Sequence, residues 1–179
     1  MNSDIKCILC SKQQLSDRVK ELARQISDDY RDKECVLVSV LKGSFIFYAD
    51  IVREIDFHTT INFLRVSSYG SGSKSSAQVT FKYPMDTDVA GKHVLIIEDI
   101  IDSGNTFVFL RKYFTEQGAL SVEMCSLLDK PERREVDISA KYVGFEIPNE
   151  FVVGYGLDYN EKYRNLPYVG ILKPEIYDK

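Results

Sequence analysis

The sequence predicts an α/β protein, a parallel twisted sheet flanked by helices, and three observations carry that expectation. Short runs that are apolar on both faces alternate with amphipathic segments, the pattern of strands covered on both sides by helices. The runs VLVSVL at 36–41 and HVLIIEDI at 93–100 each lead into a small-residue turn that opens a helical pattern. The 179 residues are 44% hydrophobic and 28% charged, an ordinary globular composition with enough chain for one real core.

Taken in order, IKCILC at 5–10 reads as a strand. Leu15, Val19, Leu22 and Ile26 then fall at spacings of four, three and four, which predicts an amphipathic helix over 12–30. VLVSVL is the next strand; Lys42 and Gly43 break it, and Ser44 is expected to cap a helix through FIFYADIVREI. INFLRV at 61–66 reads as a strand leading into SSYGSGSKSS, whose ten residues hold six serines and two glycines; a mobile loop is expected there. After HVLIIEDI comes the turn DSGNT, then the helix FVFLRKYFTEQGA ending near Gly118, then a strand VEMCSLL at 122–128. The last forty residues, rich in aromatics and glycine, predict short strands and loops.

With 23 basic and 27 acidic side chains the net charge is −4, which argues against a general nucleic-acid binder. MNSDIKCILCSK fits neither a secretory signal nor a membrane span, and no later segment approaches spanning length, so no membrane partner is expected. Cys7, Cys10, Cys35 and Cys125 do not form a disulfide framework, which points to a reducing cytoplasm. The lone CxxC of Cys7 and Cys10 reads as small apolar strand residues rather than a zinc or redox pair, and His58 and His93 lack ligand-like spacing.

The segment carrying chemistry is VLIIEDIIDSGNT at 94–106. At the end of a parallel strand, Asp102, Ser103, Gly104, Asn105 and Thr106 offer consecutive N–H groups, two hydroxyls and the positive end of a helix dipole, a seat for a phosphate monoester. Taken alone, the turn serves equally as a helix start with no ligand. Glu98 and Asp99 shift the balance, because two carboxylates beside an anion site are unfavourable unless they meet cations or sugar hydroxyls.

Two acids in an apolar strand followed by Asp-Ser-Gly resemble the phosphoribosyl-diphosphate motif of the type I phosphoribosyltransferases. LKGS at 41–44, SSYGSGSKSS at 67–76, SLLDK at 126–130 and VGFEIPNEFVVGYGLDYNEKYRNLPYVG at 143–170 extend the likeness over the chain and narrow it to the bacterial enzymes acting on 6-oxopurines, hypoxanthine and guanine. The resemblance implies one phosphoribosyltransferase domain over 1–179, with a core of about 30–145 and a small hood formed by the N-terminal segment and about 146–179. It implies Asp102 as general base or acid near purine N7, Asp102 to Thr106 as the 5′-phosphate cradle, and Glu98 and Asp99 on ribose hydroxyls and magnesium. Lys42, Gly43 and Arg164 match pyrophosphate contacts, in a loop that often carries a non-proline cis peptide. Lys130 matches the donor to the 6-oxo group, Phe151 the ring stacking on the base, and Val152 a residue reading the base edge. Asp158 matches a second magnesium position whose backbone also faces the base, and Ser68 and Tyr69 match contacts of a closing lid. Ser103, where relatives carry threonine, and Asn105, at a variable position, leave the detail of the cradle open. A homodimer or homotetramer is implied. A xanthine-preferring enzyme and a non-catalytic phosphoribosyl-diphosphate sensor stand as alternatives, though the chain lacks the basic face or added domain that a nucleic-acid-binding regulator calls for.

Overall fold

The computed structural model describes residues 1–69, 78–83 and 85–178. In chain order the elements are β1 (Ile5–Cys10), α1 (Lys12–Tyr30), β2 (Cys35–Val40), α2 (Phe45–Glu54), β3 (Thr60–Tyr69), β4 (Gln78–Tyr83), β5 (His93–Ile101), α3 (Asn105–Glu116), β6 (Ser121–Asp129), β7 (Tyr142–Glu146), β8 (Val152–Val153), β9 (Val169–Leu172) and α4 (Pro174–Tyr177). Six strands form one sheet in the order β4-β3-β2-β5-β6-β7. The five from β3 to β7 are mutually parallel, and β4 is antiparallel to β3. The two ends of the chain build a second, antiparallel sheet, β1-β9-β8.

The helices explain the apolar runs. Every residue of β2 is buried, as are Val94 to Ile97 of β5, because successive strand residues face opposite sides and both sides are covered. On one face Leu37, Leu95 and Ile97 meet Leu22 and Ile26 of α1 and Phe47 and Ile51 of α2. On the other, Val36, Val38, Val94 and Ile96 meet Phe107, Leu110 and Phe114 of α3. The start of α1 is fixed by Ser11 and Gln14, which satisfy each other's backbone N–H groups in a capping box.

Two local readings change, and a third, of the CxxC, holds. Ser44 precedes α2 but does not cap it with its side chain: its backbone is already helical (φ −74°, ψ −8°), and its hydroxyl instead donates to Val40 O (2.6 Å) and pairs with Ser39 Oγ. Strand β3 runs on through Ser67, Ser68 and Tyr69, the start of the expected mobile loop, because β4 supplies a partner, with Val66 opposite Phe81 and Ser68 opposite Val79. Residues 70–76 of that loop lie outside the described residues. The CxxC is part of β1, where Cys7 is exposed and Cys10 buried, and all four cysteines are free. Among the described residues no helix is long and apolar enough to cross a membrane.

Candidate active site

The carboxyl ends of β2, β5 and β6 lie side by side, and β5 supplies the acids. Because neighbouring strand residues point to opposite faces, Glu98 and Asp99 part company. Glu98 lines a cavity of about 90 Å³ together with Asp102, Ser103, Gly104, Thr106 and Phe107. Its Oε2 is cut off from solvent and has no hydrogen-bond partner among the described residues, and burial, then the charge of Asp99, hold its pKa well above the usual carboxylate range. Asp99 turns to the loop after β2, where a Cβ on Gly43 would fall 1.8 Å from Asp99 Oδ2; only glycine lets the loop approach so closely. Burial pushes the Asp99 carboxyl up to about 6, against the pull of the Ile100 N–H on its Oδ1 (3.0 Å) and of the Arg164 charge, while Asp158 pushes it further up.

The turn after β5 reverses at Gly104, whose φ of 87° is left-handed and where a Cβ would stand 2.9 Å from the Ile138 and Val136 side chains. No side chain among the described residues caps α3, so its first amides face the turn as a positive pole. The turn is buttressed by the segment after β6. Asn105 Nδ2 donates to Glu135 Oε2 (2.8 Å), the Glu135 N–H donates to Ser103 O (3.0 Å), and Arg134 Nη1 donates to Asp102 O (2.9 Å). Arg133 Nε meets the Asp102 carboxylate at 3.0 Å. Lys130, half-buried, donates its backbone N–H to Ile101 O (3.0 Å), which sets it beside Asp102; burial lowers its ammonium pKa and Asp102 partly restores it.

On the side of the second sheet, Phe151 is 37% exposed, with Tyr177 stacked on it (4.9 Å, 23°) and Tyr159 edge-on (5.6 Å, 89°). Val152 pairs with Ile171 between β8 and β9. Arg164 donates to Gly156 O (2.8 Å), pairs with Asp158 Oδ1 (2.8 Å) and approaches Glu161 Oε2 (3.3 Å), and its buried Nε has no partner among the described residues. Glu161 also holds Lys42 Nζ at 3.0 Å, and its own N–H donates to Asp158 Oδ2 (2.8 Å). Gly156, with φ 106°, lies against the same loop: a Cβ there would meet Gly43 O at 2.0 Å. The loop contains a cis peptide bond, at Leu41–Lys42.

Lys42, Gly43, Asp99, Asp158 and Arg164 thus form one cluster, and Glu98, Asp102 to Thr106 and Lys130 a second, joined through the end of β5. Ser68 and Tyr69 sit at the end of β3, the strand beside β2, and their side chains fall outside what is described. Sequence reasoning did not single out Glu161, Gly156, Arg133 or Glu135. Glu161 alone left a trace, as an acid just ahead of two cations, Lys162 and Arg164, in the run DYNEKYR.

Comparison with known proteins gives a consistent result. The model of the phosphoribosyl transferase domain matches residues 9–160. A hypoxanthine-guanine phosphoribosyltransferase of Streptococcus thermophilus is 50% identical over 179 residues, covering 100% of this chain and 99% of that protein. The crystal structure of a hypoxanthine phosphoribosyltransferase from Staphylococcus aureus aligns with a TM-score of 0.97 at 46% identity, covering 100% of this chain and 97% of the other. A hypoxanthine-guanine phosphoribosyltransferase from Bacillus anthracis, with a HEPES molecule in its active site, aligns with a TM-score of 0.90 at 48% identity, over 94% of this chain and 99% of the other.

Proposed function

The chain belongs to the phosphoribosyltransferase family, and from that premise we propose that it is a purine-salvage enzyme. It transfers the phosphoribosyl group of 5-phosphoribosyl 1-diphosphate to hypoxanthine or guanine, yielding IMP or GMP and pyrophosphate. The observation that carries this reading is the convergence, at the end of β5, of the phosphate-type turn and the Lys42–Arg164 cluster, with Lys130 beside Asp102.

In the proposed reaction purine N9 bonds to the anomeric carbon as the bond from that carbon to the diphosphate oxygen breaks. The proton released by the base leaves from N7 to Asp102. The Asp102 side chain is 47% exposed, within reach of a bound base, and such proton transfer is worth about 10²- to 10⁴-fold. The amides and hydroxyls from Asp102 to Thr106 hold the 5′-phosphate against the start of α3. Lys42, Gly43 and Arg164 receive the diphosphate, exchanging Glu161 for it. Lys130 donates to the purine 6-oxo group, Phe151 stacks on the ring, and the backbone at Val152 and Asp158 accepts from the other edge. Adenine presents a donor at C6 and leaves Lys130 unmet, a penalty of about 1–3 kcal/mol.

The donor set fits a hard divalent cation. Asp99 and Asp158 are carboxylates facing the diphosphate cluster, and among the described residues Glu98 retains an unpartnered oxygen and there is no group of three or more metal-ligand side chains. Two or so carboxylates completed by substrate oxygens are the habit of magnesium rather than of a protein cage. Magnesium, when bound, neutralises charge on the diphosphate leaving group. Ser68 and Tyr69 close over the site and exclude water, the competing nucleophile. The chain acts as a single domain with the terminal sheet as its hood, in the cytoplasm, as a homodimer or homotetramer.

The test is pyrophosphate release from the donor with magnesium, run with hypoxanthine, guanine, xanthine and adenine, beside Asp102→Asn. Release with hypoxanthine or guanine, and a loss of at least 100-fold in the variant, is the expected result. Preference for xanthine would reassign the substrate. Donor binding without turnover on any base would make the protein a sensor instead.

A further inference from the structure

Resting on the purine-salvage reading, we propose that Tyr177 is a positioning residue for the purine: it holds the Phe151 ring at the tilt on which the base stacks. Phe151 is 37% exposed, so the core does not fix its ring. Tyr177 covers it near-parallel at 4.9 Å and 23°, and Tyr159 meets its edge at 5.6 Å and 89°, the two geometries in which aromatic rings attract. Both contacts constrain rotation of the ring and leave exposed surface for a third ring.

The same strand secures Phe151 and Tyr177. Leu172 at the end of β9 donates its N–H to Phe151 O (2.8 Å), and the chain then turns into α4, whose last residue is Tyr177. That turn is anchored by the Lys173 N–H on Asp4 O (2.9 Å), beside β1. The backbone of Phe151 and the face of its ring are therefore set by one segment, and its edge by Tyr159. Without Tyr177 the ring regains rotamers, and base binding carries the cost of ordering it. A single aromatic contact of this kind corresponds to about 2- to 12-fold in affinity. The effect belongs to the base alone, because the diphosphate cluster is held by other contacts.

The experiment compares Tyr177→Ala, Tyr177→Leu and Tyr177→Phe by steady-state kinetics, by calorimetric binding of GMP and of pyrophosphate, and by thermal melting. The expected result is a KM for hypoxanthine raised 2- to 12-fold in the Ala and Leu variants and GMP binding weakened alike, by the contact worth given above. The donor KM and pyrophosphate affinity stay unchanged, and Tyr177→Phe behaves as wild type. An unchanged hypoxanthine KM in whichever of the Ala and Leu variants folds, or a parallel rise in both KM values, overturns the proposal while leaving the salvage reading intact. A wild-type protein that turns over no purine overturns the salvage reading itself, and this proposal with it.

Discussion

Gly156→Ala tests whether the hood and the diphosphate loop are one mechanical unit. At φ 106° a side chain is strained wherever it points, a cost of about 1–3 kcal/mol. In addition the new Cβ would meet the Gly43 carbonyl at 2.0 Å, a backbone atom that cannot rotate aside. Opening that approach to the 3.4 Å of ordinary contact displaces the Lys42–Gly43 loop or the Gly156 turn by about 1.4 Å. A misplacement of about 1 Å in groups that orient a substrate can cost about 100-fold. The expected outcome is therefore a fall of about 100-fold in kcat/KM for 5-phosphoribosyl 1-diphosphate, with a melting temperature lowered by about 2–12 °C. Gly154→Ala is the matched control: its φ of 101° is equally strained, but its Cβ would meet Tyr168 O at 2.1 Å, within the hood. It should lower the melting temperature to a similar degree and spare the donor KM. Equal kinetic losses in the two variants, or a Gly156→Ala enzyme within twofold of wild type, would refute the mechanical coupling.

Three further outcomes are expected. The Asp99 carboxyl keeps its proton up to about 6 in the folded protein and releases it near 3.8 in the unfolded chain, so the native state binds more protons between those values and stability falls as pH rises through them. Asp99→Asn removes that loss, and urea titrations should show the variant gaining about 3 kcal/mol on wild type between pH 4 and pH 7, with no gain below pH 4. Glu161→Gln weakens an exposed, solvent-screened contact with Lys42 and Arg164, so the urea midpoint should hardly move, whereas pyrophosphate measured by calorimetry should bind several-fold tighter once its internal competitor is neutral. Lys130→Met should raise the KM for hypoxanthine by about 5- to 150-fold and leave the donor KM near wild type; equal losses on both substrates would count against its contact with the base.

The strands and helices of the core were legible because each buries a face whose period shows in the sequence: Leu15, Val19, Leu22 and Ile26 do line the inner side of α1, and β2 is buried throughout. The turn from Asp102 to Thr106 was legible because its residue types are dictated locally by a left-handed Gly104. What the sequence hid are relations between distant segments. Strand β4 is a strand only because β3 lies beside it, and its Val79 and Phe81 are too few to announce a period. Ser44 looked like a cap because serine often is one, but tertiary packing placed its hydroxyl on Ser39 and Val40 O instead. Glu98 and Asp99 read as a pair, yet alternation along β5 sends them into separate clusters. Glu161 meets Lys42 across more than a hundred residues, a contact that no local pattern encodes.

The pairing of β1 with β9 bears on how the enzyme is born. Cys10 and Val169 are partners, yet about 160 residues separate them in the chain, which at about 5–20 residues per second amounts to roughly 8–30 s of synthesis. For that interval the first strand is without its mate, while the nascent core from β2 to β7 can already close on its helices. The terminal sheet, and with it the Phe151 carbonyl held by Leu172, is completed only when β9 has been made. A growing chain would thus carry the paired end of β5, with its turn from Asp102 to Thr106, before β9 could set the backbone of Phe151 in place.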